Sequence, residues 1–206
     1  MRLTVAVMTR NKAIYVTCLH MLLQLTSACI QTGHQMNIVF VNDTSGLNKL
    51  IKTSERLLWV DYGSCLDTES FSKIFEKMDM LVFPAVKEGI NWERFRKSVQ
   101  DGSNEPVSQV ALDFDTVVGR KISDGMYIVE STNPSIWVID TKCADKLRDK
   151  KGEGLNIPPT IEEFFKKCVT KEIKVVAYTK CNVLKHYSHE CVGNILEAVG
   201  VTCKQG

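Results

Sequence analysis

Short apolar runs alternate along this chain with longer stretches of helical period. "LTVAVM" (residues 3–8), "NIVFV" (37–41), "RLLWV" (56–60) and "MLVFPAV" (80–86) are rich in branched residues and lack polar alternation. That is the pattern of strands covered on both faces. The stretch between the first two runs has helical spacing and ends at Gly33, the residue type usual just past a helix C-terminus. A turn, "NDTSG", and a short helical piece around Leu47, Leu50 and Ile51 precede the third run. From Asp67, "DTESFSKIFEKM" predicts a capped helix with Phe71, Ile74, Phe75 and Met78 on one face.

The second half continues with a helix in "NWERFRKSVQ", a loop in "DGSNEP", and strands in "MYIVES" (126–131) and "SIWVID" (135–140). A helix in "TKCADKLRDK" and a loop in "KGEGLNIPP" follow. Thr160 and Glu163 form a capping box for "IEEFFKKC", "IKVVAYT" reads as the last strand, and "HECVGNILEAVG" reads as a closing helix. Strands alternating with helices imply right-handed crossovers, hence an α/β fold with a mostly parallel central sheet flanked by helices. No internal repeat or low-complexity segment interrupts the pattern.

Composition narrows the class. At 206 residues, with 44% hydrophobic and 24% charged positions, the chain suits one globular domain. The net charge of +2 is spread over interspersed signs, with no basic stripe for nucleic acid. The longest apolar stretch carries Thr17, His20, Gln24 and Ser27, which marks a core helix and neither a signal peptide nor a membrane span. Eight cysteines without a Cys-x-x-Cys pattern predict free thiols in a reducing compartment, the cytoplasm. The final "VTCKQG" reads equally as the start of a linker to a further module.

Candidate chemistry gathers where strands end. In an open parallel sheet the ligand crevice lies outside the carboxyl ends of the strands. Thr9, Arg10 and Asn11 follow the first strand, Asn42, Asp43 and Thr44 the second, and Asp61, Tyr62 and Gly63 the third. Together they offer a guanidinium for phosphate, acceptors for a base or ribose, and a carboxylate suited to a hard cation. Taken alone, "DYG" is as well explained as a turn. Three such clusters at one sheet edge favour a site. Later acids without a periodic role, Glu88, Asp113, Asp115, Asp124 and Glu130, are candidates for the transfer step, and Trp92, Tyr127 and Trp137 for sugar stacking, with Trp137 better suited to the core.

The segments "TVAVMTRNK", "NIVFVNDTSG" and "LLWVDYGSCLDTESFSKIFEKMDMLVFPAV" resemble the nucleotide-sugar half of glycosyltransferases of the GT-A fold. Along more of its length the chain is similar to the small glycosyltransferase domains encoded by chlorella viruses, associated with glycans of the capsid protein. The resemblance implies a Rossmann-like GT-A domain, residues 1–90 binding the nucleotide-sugar and residues 91–206 forming the acceptor side. It implies a UDP-sugar donor (glucose first, rhamnose second), a glycan or glycoprotein acceptor on a viral capsid, and a host-cytoplasmic location. By analogy it also implies retention of anomeric configuration, and Mn²⁺ or Mg²⁺ held by an Asp-x-Asp motif.

Carried over by position, Thr9, Arg10 and Asn11 match the first nucleotide loop and Asp43 the acid that binds uracil or ribose. Asp61 matches the first acid of the motif, with Tyr62 beside it. Gly63 stands where the second acid is expected. In several enzymes of this fold a C-terminal histidine completes the metal site, and "KHYSHEC" offers His186 and His189. A literal Asp-x-Asp, Asp113 and Asp115, lacks a preceding apolar strand and reads as nearer the acceptor than the metal. A zinc site from Cys181, His186, His189 and Cys191 fits no common spacing. Two other readings compete: an S-adenosylmethionine-dependent methyltransferase, because "WVDYG" also resembles the start of that cofactor's loop, and a non-catalytic nucleotide-sugar-binding module.

Overall fold

Every residue of the third apolar run is buried, and the reason is that both of its faces are covered. The computed structural model describes residues 1–89, 91–102, 112–148, 155 and 157–186. The predicted closing helix and His189 lie outside these residues. Within them the order is β1 (Arg2–Met8), α1 (Val16–Gln31), β2 (Gln35–Val41), α2 (Leu47–Thr53), β3 (Arg56–Val60), β4 (Ser64–Leu66), α3 (Phe71–Ile74) and β5 (Met80–Phe83). Then come α4 (Trp92–Gln100), β6 (Thr116–Ser123), β7 (Met126–Thr132), β8 (Ile136–Asp140), α5 (Ile161–Thr170), β9 (Val175–Tyr178) and β10 (Val183–Lys185), with a 3-10 helix at Thr141–Leu147.

Eight strands form one sheet in the order β2-β1-β3-β8-β5-β9-β7-β6. Pairing is parallel for β1 with β2 and β3 and for β5 with β9, and antiparallel for the other four neighbours. The architecture is therefore α/β with helices on both faces, but the sheet is mixed and not mostly parallel by its pairings. Two features of the second half cause this. β8 enters in the opposite sense between β3 and β5, and β6 joins β7 through a tight turn whose Gly125 has φ +71°. A separate two-stranded ribbon pairs β4 with β10.

One face of the sheet, including Leu3, Val5, Leu58, Phe83 and Val138, packs under α1 and α3. The other, including Ala6, Trp59, Val82 and Trp137, packs under α2, α5 and the 3-10 helix. There Trp137 lies 6.0 Å from Trp59, 5.3 Å from Phe164 and 5.5 Å from Phe165 between ring centroids, so it belongs to the core as its sequence context implied.

Three local readings change. The helix expected through Met78 is a 3-10 turn at Thr68–Ser70 followed by the four residues of α3. Asp67 caps it as expected, accepting from the Ser70 N–H at 2.9 Å. It stops early because buried Arg56 donates from Nε to the Ile74 carbonyl at 2.5 Å and from Nη1 to that of Met78 at 3.5 Å. The Ile74 carbonyl is thereby taken from the amide that a continuing helix would supply. Residues 141–147 adopt a 3-10 helix where an α-helix was expected. Strands β4, β6 and β10 have no counterpart in the apolar pattern: β6, "TVVGRKIS", is largely exposed, and the other two have three residues each.

Gly63 joins β3 to the small ribbon at φ +72°, and a Cβ there would lie 2.6 Å from the His186 carbonyl oxygen. The His186 N–H in turn donates to the Gly63 carbonyl at 2.8 Å. Gly63→Asp is expected to lower stability by roughly 2 kcal/mol or more, through a disfavoured backbone conformation and a forced contact. In the core, Phe164→Ala is expected to cost about 3–5 kcal/mol. Trp137→Phe is expected to cost far less, because the buried indole N–H has no acceptor to lose. Denaturant unfolding of the three variants checks all three expectations.

Candidate functional site

The parallel registers bring the ends of the first three strands level, with Met8 beside Val41 and Val7 beside Val60. Thr9, Asn42 and Asp61 therefore begin their loops side by side on one sheet edge. Thr9 is buried and knits two of these loops together, its N–H donating to the Val41 carbonyl at 2.8 Å and its hydroxyl to Asn42 Oδ1 at 2.8 Å. Beyond it the chain reverses tightly. Arg10 and Ala13 exchange backbone hydrogen bonds of 2.9 and 3.3 Å, and Asn11 and Lys12 both have positive φ, +51° and +60°. Positive φ at both central residues is the signature of a primed turn, strained for lysine. The turn lifts exposed Arg10 over the ring of Tyr62, 5.1 Å from its centroid.

Asp61 sits at the mouth of β3, tied by its own N–H to the Ser135 carbonyl at 2.8 Å, with Oδ1 accepting from the Tyr62 N–H at 2.8 Å. It lines a cleft of about 340 Å³ with Arg10, Tyr62, Lys87, Glu88, Asp115, Asn133, Lys185 and His186. The two-stranded ribbon delivers Lys185 and His186: β10 pairs with β4 so that Lys185 lies opposite Ser64. The His186 ring stacks on Tyr15 at 4.9 Å, Tyr15 packs against Tyr62 at 5.2 Å, and the buried His186 Nε2 has no hydrogen-bond partner. The lining thus combines three cationic side chains with three carboxylates around an aromatic wall.

Asp115 enters the same cleft from beneath β5. It is 9% exposed, and its Oδ1 accepts from the Ala85 N–H at 3.1 Å and the Thr116 hydroxyl at 2.8 Å. Its Oδ2 is buried without a partner. Burial pushes this carboxyl above the ordinary aspartate range, opposed by the Ala85 N–H, the Thr116 hydroxyl, the Lys185 charge and the Ser135 backbone N–H. A literal Asp-x-Asp thus splits in two. Asp113 turns away and holds α4, accepting from Asn91 Nδ2 at 2.9 Å and lying 3.8 Å from Arg94 Nη1, while Asp115 shares a cleft with Asp61.

Other candidates lie apart. Asp43 ends β2 on the same edge, yet its carboxylate is held below the usual range by the Ser45 hydroxyl and N–H, and it lines a different hollow with Pro158 and Pro159. Asn11 is at the exposed tip of the turn. Gly63 has no room to be an acid. Among the described residues no group of three or more His, Cys, Asp or Glu is placed to hold a metal ion; His189 and Cys191 of the zinc reading lie outside them.

Lys87, Asn133, Lys185 and Tyr15 were not singled out by the sequence. Lys185 adjoins the histidines in "KHYS", and Lys87 adjoins Glu88, so adjacency to residues already under scrutiny was the one available signal. Among the described residues no helix is long and apolar enough to cross a membrane, and Cys18, Cys29, Cys65, Cys143, Cys168 and Cys181 are free thiols.

No protein-family model matches this chain, and no curated protein matches it. Among solved structures, HddC from Yersinia pseudotuberculosis is similar over 90% of this chain and 93% of its own, at 11% identity and a TM-score of 0.43. The same protein complexed with GMP-PN is similar over 89% and 92%, at 9% identity and a TM-score of 0.41. At such identities and scores the likeness carries no argument about what this chain binds.

Proposed function

We propose that the cleft binds the diphosphate of an activated sugar and that the protein is a glycosyltransferase, passing a hexose from a UDP-sugar to a hydroxyl of a glycan or glycoprotein. The observation that carries this reading is the meeting of Arg10, Lys87 and Lys185 with Asp61 and Asp115 in one cleft at the carboxyl edge of parallel strands. Three cations answer the charge of a diphosphate, and Tyr62 and Tyr15 supply a face for a base or sugar ring. In the transfer, the acceptor oxygen forms a bond to the anomeric carbon and its proton passes to Asp115 Oδ2. The bond from that carbon to the phosphate oxygen breaks, and its electron pair leaves on the diphosphate beside Arg10 and Lys185. A single displacement of this kind inverts the anomeric centre, in place of the retention that the resemblance implied.

A divalent ion fits the cleft only together with the diphosphate. Small hard cations are commonly held by one or two carboxylates plus substrate phosphates. Asp61 would serve in that way, with the unpartnered Asp115 Oδ2 and His186 Nε2 in the same lining. When bound, Mn²⁺ or Mg²⁺ would neutralise charge on the leaving group. The chain's own work is to hold the diphosphate, orient the sugar and accept the proton.

Calorimetric titration with UDP is the direct test. Binding is expected without metal, tighter with Mn²⁺ and weaker at high salt, while Mn²⁺ alone binds weakly. Asp61→Asn should erase most of the metal-dependent gain and keep the metal-independent part. If UDP gives no heat with or without Mn²⁺, the reading fails; binding of S-adenosylhomocysteine in its place would make the protein a methyltransferase.

Asp115 generates a second prediction. Its ionised form is less well solvated in the folded chain than in the unfolded one, so the charge lowers stability at neutral pH. That penalty disappears as the pH falls to the ordinary aspartate range, about 4, where both states are protonated. Asp115→Asn keeps an oxygen for Ala85 and Thr116, so its melting temperature at neutral pH should equal or exceed that of the wild type, with the gain shrinking towards acid. Transfer should fall by about 10²-fold or more. In the wild type, activity should decline towards acid with a midpoint above the ordinary aspartate value.

A further inference from the structure

A larger cavity adjoins the cleft. It measures about 510 Å³, lies between the outer strands β6 and β7 and helix α5, and shares Lys87, Asp115 and Asn133 with the smaller cleft. The size is that of pockets for small organic ligands.

Its lining is two-sided. Phe114, Val117 and Val169, from the loop before β6, from β6 and from α5, remain 49%, 51% and 48% exposed, and buried Phe165 and Val129 complete the apolar part. Large apolar side chains from three separate segments, left open and facing one cavity, mark a surface built for something apolar. Around them run Glu130, Ser131, Glu162 and Lys166, the last two joined in an ion pair of 2.7 Å.

At the junction of the two cavities stands Asp115, more than nine-tenths buried, with Oδ1 saturated and Oδ2 lacking a donor. A buried carboxylate oxygen without a partner is costly unless a ligand donates to it. A ligand filling the larger cavity would bring a hydroxyl to that oxygen and an apolar group to Phe114 and Val117.

We propose that this cavity is the seat of the second substrate, and that the substrate is amphipathic: a glycoside with an aromatic or alkyl group, bound by its apolar part on Phe114, Val117 and Val169 and presenting a hydroxyl to Asp115. The inference rests on the reading of the neighbouring cleft as the UDP-sugar site. It adds what that reading leaves open, the chemical class of the acceptor and the surface that selects it. A free monosaccharide satisfies the polar rim alone and binds weakly.

The test uses p-nitrophenyl β-glucoside, glucose and p-nitrophenol as probes, read by saturation-transfer magnetic resonance on the whole chain, with UDP binding measured in parallel. The aryl glucoside should bind at least tenfold more tightly than either glucose or p-nitrophenol. Val117→Asp and Val169→Asp, on two separate elements, should each weaken it at least fivefold and leave UDP affinity within twofold. Equal binding of p-nitrophenol and the aryl glucoside would reduce the cavity to a greasy patch and overturn the proposal. So would glucoside binding that ignores both substitutions, or no glucoside binding while UDP still binds. Loss of UDP binding alone, with selective glucoside binding intact in the wild type, would instead overturn the donor reading and with it the role of acceptor.

Discussion

The cleft depends on one close approach, that of Gly63 to the backbone of His186. The His186 N–H meets the Gly63 carbonyl at 2.8 Å, and the space a Cβ would need on Gly63 is taken by the His186 carbonyl. This contact closes the ribbon of β4 and β10 over the end of β3, and it brings Lys185 and His186 to Asp61 from more than a hundred residues away. A side chain at position 63 would push the ribbon off. Glycine at position 63 is thus a packing requirement, and Asp115 enters the cleft from another direction.

Charge and burial then divide the labour. Arg10, Lys87 and Lys185 line the cleft where their charges stay near solvent, at little desolvation cost. Asp115 is held inside, and its burial raises its proton affinity against the hydrogen bonds it accepts. Buried acids of this kind concentrate at binding and catalytic sites, whereas an aspartate that only holds structure together has both oxygens met. Asp113, two residues earlier and bonded to Asn91 and Arg94, shows that ordinary alternative.

Strands covered on both faces announce themselves, because each needs a continuous apolar run. β1, β3, β5, β8 and β9 were therefore legible, as were the helix that stops before Gly33 and the cap at Thr160; β2 and β7 showed as apolar runs too, but β2 is an edge strand with no buried residue, not one covered on both faces as its run implied, and β7 is only partly buried. β6 was not, because most of its side chains face solvent and its residues repeat no apolar period. β4 and β10 were not, because three residues carry no period at all. The early end of α3 was hidden too, since a helix-compatible sequence is overruled there by the Arg56 side chain on its carbonyls.

By itself the sequence determined the buried strands, their alternation with helices in the first half, and the gathering of Arg10 and Asp61 at strand ends, all of which follow from local periodicity and strand direction. Only the tertiary structure decided that β8 lies antiparallel between β3 and β5, that Lys185 and Asp115 join Asp61 while Asp43 and Asp113 do not, and that a second cavity opens beside them. These depend on contacts between residues far apart in the chain, set by the packing of whole elements, and no spacing along the chain encodes them.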